Sequence, residues 1–199
     1  MSITLEPAPE AAPRSLPSLD AHAHIDHRRP AAELGGTGAV LAMTQSLDEA
    51  RDAVLRREPM IVWGAGCHPR EILAQRGFDR ERFRDLLERS AIAGEIGLDT
   101  GSKVPVDMQL SCFRQALEVL SDIPRFVSIH SYQATGMVLE ELTRTPIAAP
   151  VMHWWTGGAA ETSRAVDLGC YFSVHSQVAR HTKFRTRVPP DRILLESDH

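Results

Sequence analysis

The chain has 199 residues, of which 43 % are hydrophobic and 24 % charged, and 22 basic against 26 acidic side chains leave a net charge of −4. That balance excludes collagen-like, wholly disordered and disulfide-scaffold proteins and fits one domain with a sizeable core. Any nucleic acid must be met by a local basic patch, because no global positive charge is available.

Residues 1–18 hold four of the 13 prolines (Pro7, Pro9, Pro13, Pro17) and few large apolar groups, so they read as an extended leader. From residue 19 to 199 one alternation repeats. Short apolar, β-branched runs at Leu19–Ile25, Ala39–Met43, Met60–Ala65, Ala91–Leu98, Phe126–His130, Pro150–Trp155, Tyr171–Val174 and Ile193–Leu195 predict eight strands. Helical signals lie between them. Ser46-Leu-Asp-Glu49 is a capping box that opens a helix toward Arg57. Asp79 is placed to cap a helix with Phe83, Leu86 and Leu87 on one face, and Asp107 one with Leu110, Phe113, Leu117 and Leu120. Two more helices are expected over Gln133–Arg144 and Ala159–Leu168, the second stopped by Gly169.

Strands alternating with helices imply parallel crossovers, and eight of them fit a (β/α)₈ TIM-type barrel. The sequence stops on its eighth strand, so the expected barrel lacks its last helix. Either the chain is a truncated form of a longer protein, or a protein partner covers the C-terminal seam, where one of Ile193, Leu194 and Leu195 must face outward.

Three cysteines (Cys67, Cys112, Cys170) form no C-x-x-C pair. No apolar run approaches the ~20 residues that span a bilayer, and the first residues lack the basic and apolar regions of a secretory signal. A cytoplasmic protein with no membrane contact is expected.

Chemistry concentrates at strand ends, where barrel active sites gather. Asp20-Ala-His22-Ala-His24-Ile-Asp26 places both imidazoles on one face of the first strand. They either chelate one divalent ion or are a pair of surface or core histidines. Glu95 interrupts the apolar fourth strand, where a charge is costly unless metal or protons compensate it; the plainer alternative is a carboxylate at a loop entry. His130 and His153 end the fifth and sixth strands, and Glu196-Ser-Asp198 ends the eighth. The conjunction at one end of one barrel points to a metal site. Arg28 and Arg29 follow the first strand, at the expected rim. Arg180–Arg192 carries five basic residues against Asp191, and either tracks a nucleic-acid backbone or is a solvated helix face.

DAHAHID (20–26), GCHP (66–69), GEIGLD (94–99), SIHS (128–131), VMHWWTGG (151–158) and RILLESD (192–198) together resemble the successive motifs of the TatD-related metal-dependent hydrolases, deoxyribonucleases within the amidohydrolase superfamily. The resemblance implies two divalent ions, Zn, Mn or Mg. His22, His24 and Asp198 would hold one, His130 and His153 the other, and Glu95 would bridge them. It also implies that His68 contacts the scissile phosphate and that Asp198 orients or deprotonates the attacking water. In superfamily members acting on cyclic amides or phosphotriesters a carboxylated lysine often stands at the bridging place; Glu95 here favours phosphodiester chemistry.

This chain departs from the pattern in several places. Tyr132 stands where an arginine is frequent, and Trp154 and Trp155 replace smaller residues; they either stack an unpaired base or pack the rim. The function implied is a two-metal nuclease acting on DNA, at single-stranded segments or 3′ ends. The alternatives are hydrolysis of a small phosphoester or amide-like bond, and a non-catalytic barrel within a larger complex. The stretch SIHS…HWWTGG…LGCYFSV also resembles QatD-like components of multi-protein anti-phage systems.

Overall fold

The computed structural model describes residues 16–34, 36, 38–175 and 187–199. Every strand expected from the apolar runs forms: β1 (Leu19–Ala23), β2 (Ala39–Ala42), β3 (Ile61–Trp63), β4 (Ile92–Gly97), β5 (Phe126–His130), β6 (Ala149–Met152), β7 (Tyr171–His175) and β8 (Ile193–Glu196). Between them run α1 (Leu47–Ala53), α2 (Ile72–Arg76), α3 (Arg80–Leu87), α4 (Val106–Asp122), α5 (Thr135–Arg144) and α6 (Ala159–Asp167).

All strand pairs are parallel and fall into two arcs, β1-β2-β3 and β4 through β8 in sequence order. The arcs meet at a bridge between Ala65 and Ala93. At the other seam Asp198 N–H donates to the His22 carbonyl (3.0 Å) and His24 N–H to the His199 carbonyl (2.7 Å). Asp20 tightens that seam: its carboxylate accepts from Ser197 N–H at 3.0 Å and from the Ser197 hydroxyl at 2.5 Å. The neighbours are those of a TIM-type barrel.

Helix starts follow their caps. Ser46 accepts from Glu49 N–H, while the Glu49 carboxylate reaches one residue further back than a capping box requires, to Gln45 N–H. Helix α1 stops at Ala53, short of Arg57. Asp79 accepts from Arg82 N–H and starts α3. Asp107 is not a cap: Pro105 holds that position, and Asp107 sits in the first turn of α4, where its charge suits the helix dipole. Helix α5 begins two residues later than expected because Gln133 has φ +52°, outside the helical region. Gly169, at φ +81°, follows the end of α6 as its sequence position suggested. Helix α2 carries no periodic signal, being only five residues long.

The helices bury Phe83, Leu87, Phe113, Leu117, Leu120 and Leu139 against the outer faces of β4–β7. A smaller cluster of Ala42, Ala53, Ile61 and Trp63 closes the first arc. Leu195 is 59 % exposed on β8, the outward residue anticipated for that strand. No helix among the described residues is long and apolar enough to cross a membrane.

Candidate metal centre

His22 lies in β1 and His24 one residue past its end, their rings on the same side, and the segment after β8 delivers Asp198 beside them. His22 Nε2 lies 3.3 Å from His24 Nε2 and 3.3 Å from Asp198 Oδ1. Glu95 enters from β4, fully enclosed. Two glycines allow it to do so. A Cβ on Gly66 would stand 2.4 Å from Glu95 N, and one on Gly97 (φ +142°) 2.1 Å from the His130 carbonyl oxygen.

The Glu95 carboxylate divides the site. Its Oε2 faces His24 Nε2 (3.1 Å), His68 Nε2 (3.3 Å) and His22 Nε2 (3.6 Å). Its Oε1 faces His130 Nδ1 (2.5 Å) and His153 Nε2 (3.8 Å). Burial alone would raise its pKa, but hydrogen bonds to His130, His24 and His68 and the charge of His153 hold the carboxyl well below its usual range. Asp198 is also held low: burial opposes its charge, and His22 and His153 outweigh burial. Burial works against charge on His153 too, yet Glu196, Glu95 and Asp198 push this ring up to about 9. Burial and the neighbouring His153 lower His22.

The far nitrogens of these rings are held from behind. His130 Nε2 donates to Asp99 Oδ2 at 3.0 Å, and His153 Nδ1 donates to Glu196 Oε2 at 2.9 Å. His22 Nδ1 lies 2.7 Å from Ser128 Oγ. Asp99 is itself fixed by Gln109, whose side-chain amide accepts from Asp99 N–H and donates to the Asp99 carbonyl. With each outer proton held, the inner nitrogen is the atom that can give up its proton to Glu95 or Asp198 and present a lone pair to an ion between them.

His68 is set the other way round. Its Nδ1 accepts from Arg70 N–H at 3.1 Å, so the ring proton belongs on Nε2. A ring so held presents an N–H to the site, not a lone pair.

Imidazole nitrogens converging on a buried carboxylate fit a divalent cation. Two of the trios close enough to share an ion are His22, His24 and Glu95, and His68, Glu95 and His130. A third joins His22, His153 and Glu196. His24 Nδ1 is buried without a hydrogen-bond partner among the described residues.

All the residues expected to bind metal therefore meet at one end of the barrel, with His68 among them. Trp154 borders the same site, its indole stacked on His175 at 5.0 Å and 7°, with 38 % of the residue exposed. Its φ of +44° is held by its N–H donating to Glu196 Oε1. Trp155 is buried, its indole N–H on Thr162 and its ring against Phe172, so it packs the core. Arg28 forks onto Asp26 and Arg29 lies near Glu33, both exposed. Of the basic segment Arg180–Arg192, residues 180–186 lie outside the described residues, and Arg192 donates to the Val166 carbonyl.

Glu196, Asp99 and Ser128 were not anticipated in supporting roles, although all three lie inside the quoted motifs. Arg70 was missed altogether. It lines a cavity of about 310 Å³ beside the site with Tyr132, Trp154, Thr156, His130 and Asp198.

Comparison with solved structures places the fold beside YjjV, a TatD homologue from Escherichia coli, at 22 % identity, TM-score 0.76, 91 % of this chain and 78 % of that one. A TatD-family hydrolase from Entamoeba histolytica matches at 18 % identity, TM-score 0.70, 92 % of this chain and 74 % of that one. An N-acetyl-D-glucosamine-6-phosphate deacetylase from Mycobacterium smegmatis is more distant, at 12 % identity and TM-score 0.57 over 91 % of this chain and 57 % of that one. A comparison with curated proteins found no match. The sequence model described as TatD related DNase matches residues 19–199, from β1 through the last histidine. The chain belongs to the TatD related DNase family of metal-dependent hydrolases.

Proposed function

We propose that the protein is a deoxyribonuclease that hydrolyses DNA phosphodiesters with two divalent ions, at single-stranded segments or 3′ ends. The observation that carries the reading is the division of Glu95, one oxygen toward His22 and His24 and the other toward His130 and His153. His22, His24 and Asp198 would hold one ion, His130 and His153 the other, with Glu95 common to both. Zn, Mn or Mg bound there supplies Lewis-acid stabilisation of phosphoryl charge and a more acidic water.

The chain's own groups do the rest. Asp198, kept as a carboxylate and 21 % exposed, accepts a proton from the attacking water as its oxygen bonds to phosphorus. The ester P–O bond breaks, and the leaving oxygen takes a proton from solvent. His68 offers Nε2–H to a phosphoryl oxygen, the donor role its Arg70 contact prescribes. Trp154 offers an aromatic face to a base.

The test is cleavage of a single-stranded oligonucleotide with Zn or Mn, with chelator, and by the Glu95→Gln form. Metal-dependent cleavage lost with Glu95 supports the nuclease. A second reading, hydrolysis of a small phosphoester, is favoured by the modest cavity, near the lower end of small-molecule pockets. Efficient hydrolysis of a chromogenic phosphodiester with DNA untouched would put that reading first.

A further inference from the structure

The cavity beside the metal centre is lopsided in charge. Its floor carries His130, His153 and Asp198, and its walls carry the rings of Tyr132 and Trp154. Among the described residues Arg70 is the one Arg or Lys that lines it. Among the described residues its guanidinium makes no hydrogen bond, although 59 % of the side chain is exposed. The nearest acid is Asp99, with Oδ2 at 3.8 Å from Arg70 Nε.

Asp99 is already engaged. Its Oδ1 accepts from Gly101 N–H at 2.8 Å and its Oδ2 from His130 Nε2 at 3.0 Å. It orients the guanidinium without satisfying it. Other arginines have spent their forks: Arg28 on Asp26 and Arg114 on Glu141 are examples. A planar fork left open over a cavity is suited to a bidentate oxyanion.

Position decides which oxyanion. Arg70 and the His130 ring meet the same Asp99 oxygen, so one carboxylate separates the guanidinium from the ring that faces Glu95. Arg70 thus stands beside the metal ligands, not among them, and lines the same cavity. That placement suits an anion next along a substrate whose base or sugar rests against Trp154.

We propose that Arg70 binds the phosphate adjacent to the one being hydrolysed, which makes it a specificity-determining residue for substrates with two successive phosphates. The inference rests on the nuclease reading for the identity of that substrate. Its chemistry is a short single strand, not a lone phosphoester.

The experiment uses the metal-loaded protein in two assays: cleavage of octathymidylate, and fluorescence anisotropy of a labelled phosphorothioate octathymidylate that resists cleavage. Arg70→Gln is expected to raise KM for octathymidylate about tenfold with little change in kcat, the loss of one charge-assisted contact. It should weaken binding by a similar factor and lower the slope of log affinity against log salt by about one. Arg70→Lys should recover most of the salt slope but not the full affinity. Arg89→Gln, before β4 at the opposite end of the barrel, is the control and should leave the slope unchanged.

Unchanged binding and salt slope in Arg70→Gln would overturn the proposal, as would a loss confined to kcat, which would mark a role through His68 alone. The two readings fail separately. Arg70-dependent binding without cleavage removes the nuclease and leaves the anion site, whereas Arg70-independent cleavage removes the anion site and leaves the nuclease. Neither binding nor cleavage removes both.

Discussion

The Arg70 backbone N–H donates to His68 Nδ1 at 3.1 Å, and this one bond separates His68 from the other imidazoles of the site. His130 and His153 have carboxylates behind them to hold an outer proton, and so can free the inner nitrogen for an ion. His68 has a donor behind it and so turns a proton inward. Ring orientation distinguishes the ligands from the substrate contact, although His68 lies closer to Glu95 than His153 does.

His68→Asn should therefore keep its metal. Activity should fall roughly 10²–10³-fold, as when one preorganised donor to a developing oxyanion is removed. Elemental analysis decides the point: a loss of bound ion equal to that in His130→Asn would make His68 a ligand.

Glu95→Gln should lose most bound metal and activity by roughly 10³-fold or more, because the amide presents only one oxygen to two sets of imidazoles. Far-ultraviolet dichroism should stay near that of the parent. Asp198→Asn should be milder in metal content, since His130 and His153 are untouched, yet severe in turnover. Full activity in either variant would remove that residue from the mechanism.

Glu196 and Asp99 should matter without contacting substrate. Glu196→Gln and Asp99→Asn each weaken the grip on one ring's outer proton, and such supporting partners are typically worth 10–100-fold in metal affinity. Competition with a chelator measures it. Affinity unchanged in both variants would mean that the rings are held by packing alone.

Away from the site, Glu141 is buried beneath two half-exposed arginines: Arg114 forks onto it at 2.8 and 2.7 Å, and Arg144 adds a contact at 2.7 Å. The hydrogen bond to Arg114 leads in holding its carboxyl below the usual range. The folded pKa is depressed, so this contribution is fully present above about 4.5 and is lost as pH falls through the lower folded value. Glu141→Gln should cost about 1 kcal/mol at pH 7, the exposed arginines being screened by solvent. The gap from the parent should narrow on acidification below 4.5 in urea titrations; a constant gap would show that the effect is steric.

Much of this was legible in the chain. The eight strands announced themselves because parallel barrel strands are buried on both faces and read as apolar runs. His22, His24, Glu95, His130, His153 and Asp198 were legible because they break or end such runs. The supporting residues were not, because Glu196 meets His153 across 43 positions and Asp99 meets His130 across 31, and a carboxylate in a motif does not say which ring it will back. Arg70 looked like one of 20 arginines until the fold placed it over a cavity. The start of α5 was missed because a left-handed Gln133 leaves no mark in apolar spacing.

The seam between β1 and β8 has a consequence in time. Asp20 and Ser197 meet across 177 positions, and the same closure brings Asp198 to His22 and His24. During synthesis the first two imidazoles emerge long before their carboxylate partner exists. The ion set of His22 and His24 lacks Asp198 until residue 198 has left the ribosome. Complete loading of that set must therefore wait for residue 198, and a nascent chain stalled anywhere before it should be catalytically silent.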